Sequence, residues 1–526
     1  MRIEEGLDSA SEAAALSVGT KTAKVASSIV FARLMSFLFS GVAFILVARI
    51  LGTDVYGVYT IAVAFAAVFA AMDLGLHYGA NKFIGEYFTG KSSEKINRLL
   101  SNVLAIQIIS AVILTLIAFA LSQLVSTYVL HSVAYIRVLQ YVSILVFLQL
   151  IYGTFSQSLF GFGNGRHITA MLVTQAALQA VISVVLALDG FGAVSPIIGA
   201  AVGLAAATLL ALALILRGGT RLRTPSFAGI KKILHFTLPI GASSIFTLVS
   251  SNLTPIVLGI FVLSGVVGNF GITSKTNTFI GVFTESVGFA LLPMFASAMA
   301  KAKQRKNVSR IFNYSVYTSF ILVTPLLFWL ALLSRQFTLT VFGPTYTLAP
   351  FYISIMSLGV LISILGAYST MLMISANLVR KVMKYSAVLF VMQLASLLLL
   401  TWAFNGAGAV TSLFIVAPLV TSILFFRGAY MHLGVRVEAW KLVRVVMAAA
   451  ISIAFAIPLI LLLQGHYIPI LASVAIEQVL IYPIFLALLG GITNRDAATL
   501  NKLMSSVPGL GAAMSGLVQY AQRFIR

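Results

Sequence analysis

Two full charges, Lys275 and Glu285, stand within an apolar stretch, TSKTNTFIGVFTESVGFALLP at 273–293, that is long enough to cross a bilayer. On a helix they lie about 15 Å apart along the axis and roughly 80° apart around it, so they cannot pair as residues i and i+4 do. Ser274, Thr278 and Glu285 follow helical spacing, which predicts a polar stripe with Lys275 at its edge. Since a charge at the centre of a membrane helix costs about 2.5–3.5 kcal/mol, we expect this stripe to line a hydrated cavity or another helix, not lipid.

Three further ionisable residues lie in apolar stretches: Arg33, Asp73 and Glu477. Arg33 has serines at i+3 and i+7, which favours a cavity-lining position. A long arginine side chain can also reach the membrane surface from one or two turns deep, so that alternative stays open. Asp73 and Glu285 are expected to be gate or ion-coupling residues near the inner mouth. For Glu477 the sequence leaves a peripheral position and a functional one both open.

Catalytic and metal-binding patterns do not occur in the sequence. It contains no cysteine, and its six histidines are scattered near predicted loops without metal-ligand spacing. No nucleophile–base pair or nucleotide motif occurs, and the predicted outward loops carry Asp54 and Asp189 but no paired acids. We therefore expect no catalytic residue, no metal and no other cofactor. Any energy required would have to come from an H+ or Na+ gradient, the membrane potential or the gradient of the substrate itself.

Composition indicates which kind of fold must position these residues. Hydrophobic residues make up 60% of the 526 residues, charged residues make up 9%, and the mean hydropathy is +1.04. A soluble domain carries about 25% charged residues, whereas this chain repeats apolar runs of about 20 residues, the length that crosses a hydrocarbon core. The predicted class is an all-α polytopic membrane protein of about fourteen transmembrane helices. The expected spans are 25–48, 56–77, 100–122, 138–160, 167–188, 194–216, 234–260, 266–293, 311–334, 349–375, 385–404, 408–428, 443–463 and 468–490.

The positive charges of the chain indicate its orientation in the membrane. The formal net charge is +21 at pH 7, but the Lys and Arg residues concentrate in alternate loops, as they do on the cytoplasmic side of membrane proteins. The opposite loops receive only Arg49, Arg137 and Arg335. This pattern predicts a multi-pass protein of the cytoplasmic membrane with both termini in the cytoplasm, and it gives no reason to expect a nucleic-acid partner.

The chain also contains a weak internal repeat. A shift of about 212 residues lays Asp73 on Glu285 and aligns two nearby basic residues of each copy. This predicts two parallel six-helix lobes, an arrangement through which transporters reach alternating access. The predicted division is 1–222 for the first lobe, 223–432 for the second lobe, and 433–526 for two further helices and a cytoplasmic tail.

Two classes of function fit such a bundle. In a transporter, buried cations between two lobes would favour an anionic group such as a phosphate. A membrane glycosyltransferase or glycan polymerase would need carboxylates or histidines held at one membrane face, and the predicted outward loops offer no paired acids. We therefore expect a transporter and not an enzyme, with the membrane enzyme as the remoter alternative.

Three motifs carry a resemblance to a known family. The segment 33–87, with ARILGTDVYGVY after the arginine of the first span and DLGL at 73–76, resembles the opening of the polysaccharide-biosynthesis flippases. VFGPTYTLAP at 341–350 resembles a pattern in their second lobe. These flippases share a superfamily, the multidrug/oligosaccharidyl-lipid/polysaccharide flippases, with the lipid II flippases and the multidrug and toxin extruders. The resemblance covers the first twelve spans.

The resemblance implies a flippase that moves an oligosaccharide on a polyprenyl phosphate or diphosphate from the cytoplasmic to the outer leaflet. It implies substrate-binding cavity cations at Arg33 and Lys275, and at Arg49 beside the first outward turn. Asn252 stands where many relatives carry an acidic residue, so ion coupling through that position is in doubt.

The alternative within the superfamily is an ion-coupled drug or metabolite exporter. Such exporters usually have twelve helices and cavity carboxylates, whereas this chain has fourteen expected spans and a net-positive expected cavity. For the flippase, the expected partners are the lipid-linked oligosaccharide, membrane lipids and glycan-assembly proteins, and a monomer is the expected state.

Overall fold

A computed structural model describes residues 2–73, 75–90, 92–226, 230–281 and 305–491 of the chain. These ranges are almost entirely helical and contain no strand, which confirms the predicted all-α class. The helices are α1 (Arg2–Ala71), α2 (Leu76–Thr89), α3 (Ser93–Tyr128), α4 (Ile136–Phe162), α5 (Gly165–Leu188), α6 (Val194–Arg217), α7 (Ile230–Phe261), α8 (264–281), α9 (Arg305–Leu332), α10 (Ser334–Val341), α11 (Ala349–Ser375), α12 (Val379–Thr411), α13 (Ala417–Leu433), α14 (Ala439–Phe455), α15 (Ile457–Leu462) and α16 (Tyr467–Leu488). A turn of 3₁₀-helix (Val133–Tyr135) precedes α4, and a π-helical turn (Ser412–Val416) joins α12 to α13.

Helix α1 contains a reversal of the chain at Gly52. This residue has a φ of 68°, a left-handed conformation that glycine adopts without strain. The ring centroids of Phe44 and Tyr56 lie 6.3 Å apart, whereas twelve residues of straight helix would separate them by about 18 Å. The two arms of α1 therefore form a helical hairpin, which accounts for the first two predicted spans.

Helix α12 contains a second reversal, at Asn405, whose φ is 51°. The hydroxyl oxygens of Ser396 and Ser412 lie 2.7 Å apart across this turn, although sixteen residues of straight helix would span about 24 Å. Asparagine tolerates the left-handed conformation better than most residues, and Gly406 follows it directly. The eleventh and twelfth predicted spans are thus separate crossings.

Ten stretches of the described chain are long and apolar enough to cross a membrane. Two of them, Phe31–Ala71 and Val379–Leu433, contain the reversals and so hold two crossings each. Helices α7 and α8 occupy the seventh and eighth predicted spans, with α8 described as far as residue 281. The described helices therefore agree with the fourteen predicted spans, and the protein is a multi-pass membrane protein.

The second crossing differs from its predicted bounds at 56–77. The helix runs to Ala71, is interrupted at Met72, Asp73 and Gly75, and is followed by α2, which ends at Thr89. Gly75 causes the interruption, because it has a left-handed backbone with a φ of 70° directly before α2. The candidate membrane span ends at Ala71. The sequence did not predict the separate helix α2, which has exposed charged residues on one face and packs its other face into an apolar core.

The chain divides into two compact units, Met1–Gly265 and Val266–Arg526. In the first unit, side chains from α2 to α7 form an apolar core that includes Leu100, Leu159 and Met171. In the second unit, a smaller apolar cluster around Leu333 and Val474 joins α14, α15 and α16 to the end of α9. The predicted lobe boundaries after residues 222 and 432 stay a prediction, and the predicted tail beyond residue 491 lies outside the described residues.

Candidate substrate-binding site

Arg33 lies on the first arm of α1, on the side away from the exposed apolar face of that arm. Phe31, Leu38 and Val42 are each more than half exposed and lie within about 40° of one another around the helix. Arg33 is also exposed, but its direction differs from theirs by about 160°. An exposed apolar face suits lipid, so the direction of Arg33 suits a water-filled space within the protein.

Contacts with α5 hold this arm of α1 in place. The Ser36 hydroxyl donates a hydrogen bond to the carbonyl oxygen of Leu172 at 3.2 Å. The Thr169 hydroxyl donates to the carbonyl oxygen of Ser28 at 2.9 Å. Small hydroxyl side chains of this kind let two membrane helices approach closely and bond to each other, which fixes the direction of Arg33.

Arg49, the third predicted cation, lies apart from Arg33. The two residues are sixteen positions apart on the same arm, which places them about 24 Å apart along the axis and about 160° apart around it. Arg49 is exposed on the same side as Phe31 and Leu38, three residues before the turn at Gly52. The structure therefore does not bring Arg49 and Arg33 to one phosphate-sized group.

Lys275 and Thr278 are the two exposed residues in the described part of α8, 264–281. They lie about one turn apart on one face. The Thr278 hydroxyl donates to the carbonyl oxygen of Ser274 at 3.1 Å, and Ser274 is half-buried. No large apolar side chain of 264–281 is exposed. The accessible face of this segment is therefore polar, as the predicted polar stripe requires.

Asn269 fixes the orientation of α8 within the second unit. Its side-chain oxygen is an acceptor for the backbone N–H groups of Leu348 and Ala349, at 3.1 and 2.9 Å, where α11 begins. Thr273 and Thr276 are buried and donate to carbonyl oxygens one turn back in α8. Since the polar groups on the packed side are satisfied, that side can be buried and the polar stripe is left accessible.

Asp73 lies at the interruption of the second crossing and is 4% exposed. One of its carboxylate oxygens accepts from the side-chain amide of Gln107 on α3 at 3.1 Å, and the other contacts Nδ1 of His77 on α2. Glu285, its counterpart in the predicted repeat, lies outside the described residues. The sequence pointed to Asp73 but missed both partners, although an Asp and a His at i and i+4 are a signal that could have found the pair.

Comparison with known proteins identifies the family. A family model described as polysaccharide biosynthesis protein matches residues 22–299, more than half of the chain. The chain belongs to this family. The resemblance seen in ARILGTDVYGVY and DLGL is thereby confirmed.

One curated relative and several solved structures agree with this family. The probable low-salt glycan biosynthesis flippase Agl15 of Haloferax volcanii is 25% identical over 138 residues, which is 26% of this chain and 29% of that protein. The lipid II flippase MurJ, in an inward closed conformation, matches with a TM-score of 0.72 at 12% identity, over 88% of this chain and 98% of that one.

A multidrug resistance MATE family transporter of the MOP superfamily, in an inward-facing conformation, also matches. Its TM-score is 0.65 at 14% identity, over 76% of this chain and 94% of that one. At such low identity these structures show the fold alone, which is that of the predicted superfamily. These matches are to flippases and transporters, in agreement with the prediction of a transporter and not an enzyme.

Glu477 is the acidic residue of this polysaccharide biosynthesis protein whose position the sequence left open. It is 7% exposed, and one carboxylate oxygen accepts from the side-chain amide of Gln478 at 3.0 Å. The other oxygen has no hydrogen-bond partner among the described residues. Val474, three residues earlier and about 60° away around α16, is fully buried in the apolar cluster around Leu333, so this side of α16 is covered by protein. Hydropathy alone could not reveal this, because it does not tell which side of a last helix is packed.

Proposed function

We propose that the protein is a flippase that moves an oligosaccharide linked to a polyprenyl phosphate or diphosphate from the cytoplasmic to the outer leaflet, by alternating access of its two lobes. The observation that carries this proposal is the accessible face of α8, which consists of a lysine and a threonine and has no exposed apolar side chain within 264–281. A membrane helix presents such a face to water and to a polar ligand, not to lipid.

The two cations suit different parts of an anionic head group. The guanidinium of Arg33 can bind two phosphate oxygens at once, while the ammonium of Lys275 acts as a compact point charge. Thr278 and Ser274 add hydroxyl groups beside Lys275 that can bond to sugar hydroxyls. Arg49, at the end of its crossing, would meet the substrate outside the site that Arg33 forms.

The drug-exporter alternative predicts carboxylates facing the cavity. The accessible residues of α8 in the described segment are a cation and a hydroxyl, and Asp73 is buried with its oxygens bonded to His77 and Gln107. These observations favour an anionic substrate.

The positive-inside pattern of the loops supports a cytoplasmic-membrane protein with both termini in the cytoplasm. The proposal also includes a monomeric state and partnership with glycan-assembly proteins.

Native mass spectrometry with defined lipids tests the substrate class. The purified protein should bind polyprenyl phosphate and diphosphate in preference to the uncharged polyprenol of equal length. A charge-assisted hydrogen bond contributes about 1.5–3 kcal/mol, so Arg33→Ala and Lys275→Ala should each weaken phosphate binding about tenfold or more. Lys275→Arg should retain it, and Arg137→Ala, an exposed cation of a predicted outward loop, is the matched control.

Cells supply the second half of this test. Arg33→Ala and Lys275→Ala should abolish glycan export while the protein stays membrane-inserted, and the undelivered glycolipid should accumulate and reveal the sugar and the carrier. Equal binding of polyprenol and polyprenyl phosphate, or normal surface glycan in both variants, would contradict the proposal.

A further inference from the structure

A pair of titratable groups lies where the second crossing is interrupted, with buried Asp73 before Gly75 and His77 in the first turn of α2. The carboxylate of Asp73 contacts Nδ1 of His77, its other oxygen accepts from Gln107, and Asp73 is 4% exposed. The side chain of His77 is 25% exposed. A proton can therefore reach His77 directly, while the acid to which it is bonded lies inside the protein.

One proton decides the charge of this pair. With the proton bound, the pair has no net charge. It then consists either of a histidinium and a carboxylate or of a neutral histidine and a carboxylic acid. Without the proton, the pair carries one buried negative charge, for which the described residues provide the side-chain N–H groups of His77 and Gln107. Burial of an uncompensated charge is costly. The packed arrangement is therefore favoured by the protonated pair and disfavoured by the deprotonated pair.

Other charged groups lie on the same helices but do not neutralise this pair. The ring of Tyr78 lies next to that of His77 in a tilted arrangement, with centroids 4.1 Å apart. In the described ranges no salt bridge joins Asp73 to a Lys or Arg side chain. Lys82 pairs with Glu86 farther along α2. The helices that pack around this pair also carry other titratable or charged side chains. These are Tyr87 on α2, Glu94, Lys95 and Arg98 on α3, Tyr152 on α4, and Lys231 and His235 on α7.

The interruption also fits tightly against α7. A Cβ atom at Gly75 would lie 2.9 Å from the carbonyl oxygen of Thr237 and 3.0 Å from the backbone nitrogen of Gly241. A Cβ atom at Gly79 would lie 2.6 Å from the methyl group of Thr237. With so little space, the backbone at Gly75 and Gly79 cannot move towards α7 without displacing that helix, and it cannot move away without losing this packing. After residues 262 and 263, α7 is followed in the chain by α8 and its Lys275.

We propose that Asp73, His77 and Gln107 form a proton-binding site that controls the packing of the second crossing on α7. The protonated pair holds Gly75 and Gly79 packed against α7. Loss of the proton leaves a buried charge, releases this packing, and changes access to the side of α1 that carries Arg33. As a step in a transport cycle the site rests on the proposed function, but the pH-dependent change itself requires no substrate.

The absence of native cysteine allows a direct test. Ser40 is exposed and lies within about 20° of the direction of Arg33 on α1, so Ser40→Cys reports access to that face. Its rate of reaction with a soluble maleimide is measured in nanodiscs and divided by the rate for Ser93→Cys, an exposed site at the start of α3. This ratio removes the common effect of pH on thiolate formation.

We expect the ratio to rise about threefold or more between about pH 5.5 and about pH 8. Asp73→Asn and His77→Gln should each make it independent of pH. The second variant is at a partly exposed position and keeps the test valid if the first does not fold. Glu86→Gln, which removes an exposed acid from the same helix, should keep the pH dependence of the parent.

A ratio that does not change with pH in the parent, or that changes equally in the parent and in both variants, would overturn the proton site. Because no lipid substrate is used, that failure would leave phosphate-selective lipid binding untouched. Loss of phosphate selectivity, conversely, would refute the proposed function and leave the proton site standing.

Discussion

Replacement of Tyr482 by phenylalanine should show that the tyrosine hydroxyl supplies a hydrogen-bond donor that another helix lacks. Pro325 lies inside α9 and has no backbone N–H, so the carbonyl oxygen of Ile321, four residues earlier, loses its helical donor. The Tyr482 hydroxyl of α16 donates to this oxygen at 3.0 Å. Tyr482 and Ile321 are both buried, so water does not readily replace the donor.

The cost of Tyr482→Phe follows from this geometry. A buried acceptor left without a partner costs about 1–3 kcal/mol, while hydrogen bonds between membrane helices average about 0.6 kcal/mol and reach about 1.7. Because Ile321 has no alternative helical donor, we expect the upper part of the membrane range, about 1–1.5 kcal/mol. Pro325→Ala restores the N–H, so in that background the same change should cost only a few tenths of a kcal/mol.

The assay can use Trp329 as a local reporter. The chain has three tryptophans, of which Trp402 and Trp440 are mostly exposed and can be replaced by phenylalanine. The indole N–H of Trp329 donates to the Leu471 carbonyl oxygen of α16 at 3.2 Å, so its fluorescence follows separation of α9 from α16 during unfolding in sodium dodecyl sulfate.

Tyr467→Phe, at a more exposed tyrosine of α16, is the matched control and should have little effect on the free energy of unfolding. An equal cost of Tyr482→Phe with proline and with alanine at position 325 would refute the reasoning. It would mean that the hydroxyl does not compensate for the missing N–H.

Two further predictions concern buried positions in the second unit. Glu477→Gln should leave the free energy of unfolding within about 0.5 kcal/mol of the parent or raise it, because an amide keeps an acceptor for Gln478 and removes a buried carboxyl group. A decrease of more than about 1 kcal/mol in the same unfolding titration in sodium dodecyl sulfate would contradict this prediction. Gly359→Ala should prevent stable folding, because its Cβ would lie 1.6 Å from the carbonyl oxygen of Phe414 at the π-helical turn. The control is Gly153→Ala, which has no atom within 4 Å of the added Cβ and should be neutral or stabilising by up to about 1 kcal/mol. Equal yields of folded protein for Gly359→Ala and Gly153→Ala in size-exclusion chromatography would refute the prediction.

The sequence alone determined the class of fold and the number of crossings. The length of an apolar run is dictated by the bilayer and not by neighbouring helices, so it can be predicted from the local sequence. The alternation of basic loops is likewise imposed by the membrane. Local reading also predicted the reversals near Gly52 and Asn405 as breaks between spans. It missed the interruption at Gly75 and the separate helix α2 that follows, because the packing that holds α2 in place does not appear in local hydropathy.

The sequence also predicted the polar stripe at Lys275 and Thr278, because helical spacing shows which residues share a face. It could not tell which of those faces would be accessible. The tertiary structure decided that Arg33 lies opposite the apolar face of its arm and that Arg49 lies on it, since packing against α5 sets the rotation of the helix.

The partners of buried polar groups were likewise decided by tertiary structure alone. Gln107 meets Asp73 across 34 positions of the chain, and Tyr482 meets the carbonyl oxygen of Ile321 across 161. Composition and spacing indicate which polar groups require a partner. Examples are a carbonyl oxygen that a proline leaves without its helical donor, and a buried acid that requires a counter-charge. Only the packing of helices distant in sequence determines which side chain meets that need.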